Sequence, residues 1–152
     1  MLALTEHPDQ RAHLLGDIDG RMDTAVEEFV RWASPVMTFR RTATQDTRVR
    51  DVEIAAGDKV VLFYPSGNRD ERAIDDPYAF DVSRDPNRHL GFGGGGPHYC
   101  MGAALAKLQL RTLFGQILHR YPELEVADPT YLVGNFVNGV SALPMQRGPA
   151  AA

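Results

Sequence analysis

A lone cysteine at the end of a glycine-rich run is the residue of this sequence whose type and position best suit chemistry. Cys100 is the only cysteine in the chain, and it lies in the stretch 90–102, which reads LGFGGGGPHYCMG. Good helix formers follow, so the thiol is expected where a loop becomes a helix. Unpaired backbone N–H groups and the positive end of the helix dipole at that point stabilise a negatively charged sulfur.

The neighbours of the thiol make this stretch suitable for a metal-bound cysteinate. The glycines 93–96 carry no Cβ, so their backbone can fold tightly and approach a large, flat ligand. His98, two residues before the thiol, can add a hydrogen bond or a positive charge. The pattern indicates, in particular, haem iron held by a single thiolate.

Four other interpretations stay open on the residues of this stretch alone. Gly91, Gly93 and Gly96 match the dinucleotide fingerprint G-x-G-x-x-G, although the acidic residue expected about 20 positions later is missing. Zinc needs three or four ligands, and only Cys100 and His98 are close in sequence. The same two residues could form a nucleophile–base pair. The simplest alternative is a glycine loop beside a buried, inert cysteine.

Composition and charge exclude several classes of protein. A net charge of −4 without a long basic run argues against a nucleic-acid-binding protein. Hydrophobic residues at 43% and charged residues at 24% are ordinary for a globular protein, and the longest apolar runs are too short to span a bilayer. A single cysteine excludes a disulfide framework, and residues 1–7 lack the basic region and apolar core of a signal peptide. We expect a cytoplasmic protein.

Helices are predicted for most of the first third of the chain. Residues 2–15 carry apolar side chains at helical spacing, with a second helix beginning at Pro8. Residues 17–21 are interpreted as a polar turn. Thr24 and Glu27 have the form of a capping box, which predicts a helix that begins there and ends before the next proline.

Strands are predicted for the middle of the chain. Residues 36–41 are expected to form one strand, and residues 49–54 and 59–64 to form a β-hairpin. A short helix capped by Asn68 or Ser66 should follow.

The last half of the chain is predicted to hold a coil, one long helix and short strands. Residues 75–87 are expected to be a packed coil, and residues 101–121 a helix buried on most sides. Residues 125–145 should form short strands with Asn138 and Gly139 as a hairpin turn.

The cysteine stretch resembles the haem-binding loop of the cytochrome P-450 family of haem-thiolate monooxygenases. In that family a Phe opens the loop, glycines follow, a His or Arg lies two residues before the Cys, and a Gly lies two after it. The matching residues here are Phe92, glycines 93–96, His98, Cys100 and Gly102. The resemblance implies haem b (iron protoporphyrin IX) as cofactor, with Cys100 as the axial iron ligand and Phe92, His98 and Gly102 beside it.

One feature of the loop departs from the family pattern. Phe92 lies eight residues before Cys100, where the family usually has seven, so one glycine looks inserted. This variant is associated with a bacterial branch of the family that acts on lipids, sterols and terpenoids.

A second motif strengthens the resemblance. Glu28 and Arg31 form an E-x-x-R pair, which taken alone is more typical of an exposed ion pair on a helix. In the family this Glu and Arg form a buried triad with an Arg that precedes the haem loop, which is Arg84 here. Two arginines around one carboxylate make a stiff arrangement. The resemblance therefore implies a triad that fixes the backbone under the loop and takes no part in the reaction.

The resemblance also implies residues that contact the cofactor and the substrate. Arg41, in the context R-T-A-T, matches an arginine that binds a haem propionate in the family. The adjacent Arg40 is the alternative if that side chain is the one that faces inward from the strand. Val36 and Met37 match positions on the substrate side. Phe136 and Val137 match a C-terminal hairpin that reaches the substrate pocket in the family. The alternative is that they take part only in ordinary sheet packing.

The fold implied by the resemblance is mainly α with small β-sheets (α+β) and corresponds to the C-terminal half of the cytochrome P-450 fold, over residues 1–146. The implied activity is the insertion of one oxygen atom of O₂ into a C–H bond of a hydrophobic small molecule, such as a sterol, a branched lipid or a terpenoid. A ferredoxin or similar electron donor would dock on the thiolate side, where Arg88, Lys107 and Arg111 would supply positive charge.

Family members are much longer than this chain. The long distal helix that carries their proton-delivery residues has no counterpart in the sequence, so we predict no catalytic residue in this segment. We expect a fragment, a truncated gene product or one chain of a split protein. The alternative function is therefore an inactive remnant, or a chain that cannot hold haem alone. Residues 147–152 are predicted to be a disordered tail.

Overall fold

Three helices begin the chain and supply most of its core. The computed structural model describes residues 1–147, so the predicted tail, apart from Arg147, lies outside the described residues. Helix α1 spans Leu2–Glu6, α2 spans Pro8–Leu15 and α3 spans Ile18–Ala33. Pro8 occupies the first position of α2, as predicted, because its missing N–H costs nothing there.

Helix α3 begins earlier than the sequence suggests. Asp17 is its N-cap, and the carboxylate accepts a hydrogen bond from the N–H of Gly20 at 3.0 Å. Thr24 lies inside the helix, where its hydroxyl donates to a backbone carbonyl one turn back at 3.0 Å. The predicted polar turn and capping box are therefore wrong. The earlier start is favoured because it buries Ile18 and Met22 in the core.

The two sheets of the middle region pair differently from the prediction. Strands β1 (Thr38–Thr42) and β4 (Lys59–Phe63) form one antiparallel pair, and β2 (Thr47–Val49) and β3 (Val52–Ile54) form another. The hairpin predicted between residues 49–54 and 59–64 is wrong. Alternation alone allowed both pairings, and backbone hydrogen bonds that join the end of β1 to the turn before β4 select the observed one.

The segment after β4 is short and then irregular. Helix α4 spans Tyr64–Gly67, and Asn68 lies at its C-terminal end, so the predicted N-terminal cap is wrong. Residues 75–87 form a packed coil, as predicted, with Phe80 and Val82 buried in the core.

Helix α5 spans Ala103–Arg120 and packs on α3 along one face. The prediction that it is buried on most sides is wrong. Only Ala103 and Leu118 are buried, whereas Leu105 and Leu108 are 60% and 59% exposed. Apolar side chains lie on several faces of α5, but the described part of the chain packs against only one of them.

Four short strands complete the described structure. They are β5 (Glu125–Val126), β6 (Thr130–Tyr131), β7 (Val140–Ala142) and β8 (Met145–Gln146). Strand β5 pairs with β8, and β6 pairs with β7. Asn138 and Gly139 lead directly into β7, so the turn lies earlier than predicted. The mixture of helices and small sheets confirms the predicted α+β class. Among residues 1–147, no helix combines the length and apolar character needed to cross a bilayer.

Candidate haem-thiolate site

The thiol of Cys100 is exposed three residues before α5 begins. Its backbone N–H donates a hydrogen bond to the carbonyl of Phe92 at 2.9 Å, which closes the glycine run into a loop. Gly102 lies so near that an added Cβ would be 3.8 Å from Sγ of Cys100. The alternative of a buried, inert cysteine is therefore wrong.

The glycines of this loop adopt conformations that other residues avoid. Gly93, Gly95 and Gly96 have φ values of 97°, 93° and 73°. Nothing lies within 4 Å of a Cβ added at Gly95 or Gly96, so one face of the loop is free of side chains. An exposed thiol beside an open, side-chain-free backbone fits haem b, whose iron the sulfur would hold while the backbone leaves room for the flat macrocycle.

Two of the other interpretations find no support in the surroundings of the loop. A dinucleotide site needs a strand directly before the glycines, but β4 ends at Phe63 and the described chain between it and the loop contains no further strand. No three His, Cys, Asp or Glu side chains among residues 1–147 come together as a metal cluster.

On α3, Glu28 and Arg31 form a fully buried ion pair. Both side chains have 0% exposure, and two parallel hydrogen bonds of 2.7 Å join the guanidinium to the carboxylate. The other N–H groups of Arg31 donate to the carbonyls of Asn68, Pro77 and Ala79 at 2.7–3.0 Å. All five donors of this arginine are therefore used. The pair ties α3 to the irregular segment that leads to the loop.

Arg84 completes the cluster around the same carboxylate. Its Nε lies 3.4 Å from Oε2 of Glu28, and its side chain is 11% exposed. Asn87 and the backbone N–H of Asp81 each donate to Glu28 at 2.9 Å. The structure thus brings together the three residues of the predicted triad, with more partners for the carboxylate than the sequence indicated. Two cations and two neutral donors around one buried anion resist rearrangement.

Sequence reasoning missed Asn68, which it interpreted only as a helix cap. This side chain is fully buried. Its Oδ1 accepts from the N–H of Leu90 at 2.6 Å, and its Nδ2 donates to Oγ of Ser34 at 2.9 Å. The only sequence signal for this residue is the run SGNRDE at 66–71. Because charged residues follow the asparagine directly, the run does not indicate that its side chain is buried.

A second carboxylate, Glu27, was predicted only as a capping residue. Its Oε2 lies 2.8 Å from Nε2 of His89, and its Oε1 lies 2.6 Å from Nζ of Lys107. Burial alone would raise the pKa of Glu27, but hydrogen bonds from Lys107 and His89 and the charge of Lys107 outweigh it and lower that pKa below its usual value. Glu27 is therefore ionised across the neutral range.

The four predicted substrate-side residues meet at one place. Val36 and Val137 form an isolated antiparallel bridge. The N–H of Met37 donates to the carbonyl of Phe136 at 2.8 Å, and the Phe136 ring lies 5.4 Å from that of Phe39. The residues just before β1 and the loop before β7 thus form one half-exposed apolar surface.

The remaining predicted residues lie at the surface. Arg41 is exposed, with its guanidinium 5.2 Å from the Phe39 ring centroid, and His98 is exposed on the loop. Lys107 pairs with Glu27, and Arg111 pairs with Asp23 at 2.7 Å, so these cations are compensated by acids of α3. The predicted docking face carries less net positive charge than its cations alone suggest.

Comparison with known proteins shows the ancestry of the chain. The family model described as cytochrome P-450 matches residues 22–131. A methyl-branched lipid omega-hydroxylase of Mycobacterium tuberculosis is 49% identical over 95% of this chain and 34% of its own length. A steroid C26-monooxygenase of the same organism is 43% identical over 92% of this chain and 32% of its own length.

A solved structure gives the same result in three dimensions. Cytochrome P-450 CYP268A2 of Mycobacterium marinum, determined in complex with pseudoionone, superposes with a TM-score of 0.92 at 55% identity. The match covers 94% of this chain and 34% of that one. The chain thus spans about a third of the length of these relatives, and the predicted fold is confirmed. On the motifs, the fold and these matches together, the chain belongs to the cytochrome P-450 family.

Proposed function

We propose that this chain carries the thiolate-bearing part of a haem-thiolate monooxygenase that inserts one oxygen atom of O₂ into a C–H bond of a hydrophobic small molecule. The observation that carries the proposal is the exposed thiol of Cys100, held three residues before α5 by the hydrogen bond from its backbone N–H to the carbonyl of Phe92. Haem b, when bound, supplies O₂ activation, and a thiolate ligand favours O–O cleavage by donating electron density.

The residues of this chain would bind and orient the cofactor. Cys100 would hold the iron, with Phe92, His98 and Gly102 beside it. Arg41 would pair with a propionate, since its fork of donors matches a carboxylate. The triad around Glu28 would keep the backbone beneath the loop in one geometry.

The substrate class is proposed from two lines of support. The surface formed by Val36, Met37, Phe136 and Val137 is apolar, which suits a hydrophobic ligand. Two relatives are named as acting on a methyl-branched lipid and on a steroid. We therefore propose a sterol, branched lipid or terpenoid as substrate.

The electrons would come from a ferredoxin or a similar donor in the cytoplasm, a compartment that a single free cysteine suits. Arg88 is exposed near the loop, whereas Lys107 and Arg111 are already paired with carboxylates. Docking at this face should therefore depend only weakly on salt concentration. Rates of haem reduction measured across salt concentrations test this.

The test of the proposed function uses the full natural protein that contains this chain, supplied with haem. Reduction under CO should give the Soret band typical of a thiolate-ligated haem, and Cys100→Ser should abolish that band. Tyr99→Phe, at the adjacent exposed residue, is the matched control and should keep it. An unchanged spectrum in the serine variant would rule out Cys100 as the ligand.

The exposed apolar face of α5 favours one alternative. Leu105, Leu108 and Leu113 are all more than half exposed, and the chain spans about a third of its relatives. Large exposed apolar patches invite association or aggregation. The alternative is therefore one chain of a split protein, which cannot hold haem unless a separate polypeptide covers this face. Haem titration of the 152-residue chain by itself distinguishes the two, since tight uptake with a thiolate spectrum excludes the alternative.

A further inference from the structure

Glu27 joins three elements that meet around the thiolate loop. It lies on α3, and its two carboxylate oxygens have different partners. One oxygen lies 2.8 Å from Nε2 of His89, just before the loop, and the other lies 2.6 Å from Nζ of Lys107 on α5. The carboxylate and Lys107 are each about a quarter exposed and His89 is 5% exposed, so the contacts are partly shielded from water.

Both partners of Glu27 also contact residues of the loop that carries the Cys100 sulfur. Nδ1 of His89 accepts the N–H of Gly91 at 3.0 Å, which leaves the proton on Nε2 facing the carboxylate. Lys107 Nζ lies 5.3 Å from the ring centroid of Phe92, within cation–π range. The carbonyl of Phe92 in turn accepts the N–H of Cys100. One route thus ends at Gly91, the residue before Phe92, and the other ends at the Phe92 ring, so both lead from one carboxylate to the backbone that holds the cysteine amide.

We propose that Glu27 is a positioning residue for the Cys100 sulfur: through His89 and Lys107 it fixes Phe92, and Phe92 fixes the backbone of the cysteine. This inference rests on the proposed function, in which Cys100 binds haem iron. Outer partners of metal ligands are typically worth about 10–100-fold in affinity or activity, and Glu27 is placed to act in this way.

The position requires a carboxylate and not merely a polar group. Both partners present N–H donors, so each oxygen of Glu27 acts as an acceptor. In Glu27→Gln one acceptor becomes an NH₂ group that faces a donor, and one of the two routes breaks. Glu27→Asp keeps both acceptors on a shorter side chain and should rescue part of the effect.

The chain offers a matched control one turn earlier on the same helix. Asp23 pairs with Arg111 at 2.7 Å and so joins the same two helices, α3 and α5. Its side chain is 69% exposed, and its ion-pair partner Arg111 lies on α5, eight residues after the helix begins. Asp23→Asn therefore removes a link between the helices without touching either route to the sulfur.

The first readout needs no haem. In the full natural protein without cofactor, Glu27→Gln should speed amide hydrogen exchange across residues 91–100 by about 2- to 10-fold, which corresponds to the loss of one hydrogen bond worth about 0.5–1.5 kcal/mol. Asp23→Asn should leave that exchange unchanged, and Glu27→Asp should fall between. Equal exchange in Glu27→Gln and native protein, or equal acceleration in Glu27→Gln and Asp23→Asn, would overturn the proposal.

The second readout uses the haem-loaded protein. Glu27→Gln should release haem about 10-fold faster and lose part of the thiolate-type Soret band in the reduced CO complex, whereas Asp23→Asn should do neither. If Glu27→Gln does not fold, His89→Phe and Lys107→Met each break one route and should each give a smaller change. Native behaviour in both would refute the inference. A native protein without a thiolate-type band would contradict the proposed function, while the exchange comparison would still decide the role of Glu27.

Discussion

The side-chain carbonyl of Asn68 accepts a hydrogen bond from the backbone N–H of Leu90 at 2.6 Å, although 22 residues separate them in sequence. The same amide group donates to Oγ of Ser34, and its own backbone carbonyl accepts from Arg31. One buried asparagine thus joins the end of α3 to the first residue of the glycine loop. Because its amide group both accepts and donates, no apolar or purely acidic side chain of similar size reproduces it.

Replacing Asn68 should destabilise the protein measurably. In Asn68→Ala the N–H of Leu90 loses its acceptor, and an unsatisfied donor of this kind costs about 1–3 kcal/mol. Oγ of Ser34 loses one donor but keeps its bond to the carbonyl of Arg31, which adds about 1 kcal/mol. We expect the free energy of unfolding, measured by urea denaturation, to fall by about 2–4 kcal/mol. Asn138→Ala is the control, since its side-chain amide also bonds a backbone group, the carbonyl of Ala33, but at the surface. Equal losses in the two variants would contradict a special role for Asn68.

Removing Arg31 should be far more costly than removing an exposed arginine with the same spacing. Arg31→Ala leaves the buried carboxylate of Glu28 without its closest cation, which typically costs about 3–5 kcal/mol. We expect loss of haem retention, seen as loss of the visible haem absorbance on gel filtration. Arg48→Ala breaks the exposed pair with Asp51 and should cost less than about 1 kcal/mol. Normal haem absorbance in Arg31→Ala would contradict the structural role of the triad.

Two adjacent glycines of the loop should respond differently to alanine. Gly95 has a φ of 93°, so Gly95→Ala should strain the backbone by about 1–2 kcal/mol although open space surrounds its Cβ position. Gly94 lies outside the left-handed region, and its nearest neighbour would be Leu90 at 3.8 Å. Gly94→Ala should therefore be neutral or stabilise the fold by about 0.4–1 kcal/mol. Urea unfolding of both variants tests the difference, and the reverse order would show that the loop conformation is wrong.

Acid should destabilise the native protein partly through Glu27. Its pKa in the folded state lies below the ordinary value of 4.5, so it contributes stability above that pH and loses the contribution as pH falls through the folded pKa. Glu27→Gln cannot titrate there, so its unfolding midpoint in urea should decline less steeply below pH 4.5 than the native one. Lys107→Met removes one of the groups that lower the pKa and should give an intermediate slope. Parallel curves for all three proteins would argue against this linkage.

Local sequence signals predicted the structure correctly where a single residue type determines the local backbone. Pro8 marks the start of α2, and Pro35 lies two residues after α3 ends at Ala33. The glycines before Cys100 predict a tight, open loop, because few other residues adopt positive φ without strain. The family motifs around Cys100 and Glu28 identify the ancestry without any knowledge of contacts.

Contacts between distant residues decided what the sequence left ambiguous. Strand alternation allowed β4 to pair with either of two earlier strands, since alternation specifies faces and not partners. The choice of Asp17 over Thr24 as the helix start depended on burial of Ile18 and Met22, which only the packed core reveals. The long apolar helix α5 was predicted to be buried, but burial depends on what packs against a helix and not on its own residues.

The sequence by itself determined the family, the ligand candidate Cys100 and the members of the triad, because each depends on residue type and spacing along the chain. Only the tertiary structure revealed Asn68 and Glu27 as the links that hold the loop. Their partners lie far away in sequence, and a polar side chain takes its role from the donors and acceptors that folding brings within about 3 Å. The physical reason is that a hydrogen bond depends on the distance between donor and acceptor in the folded chain, whereas spacing along the sequence determines only local geometry.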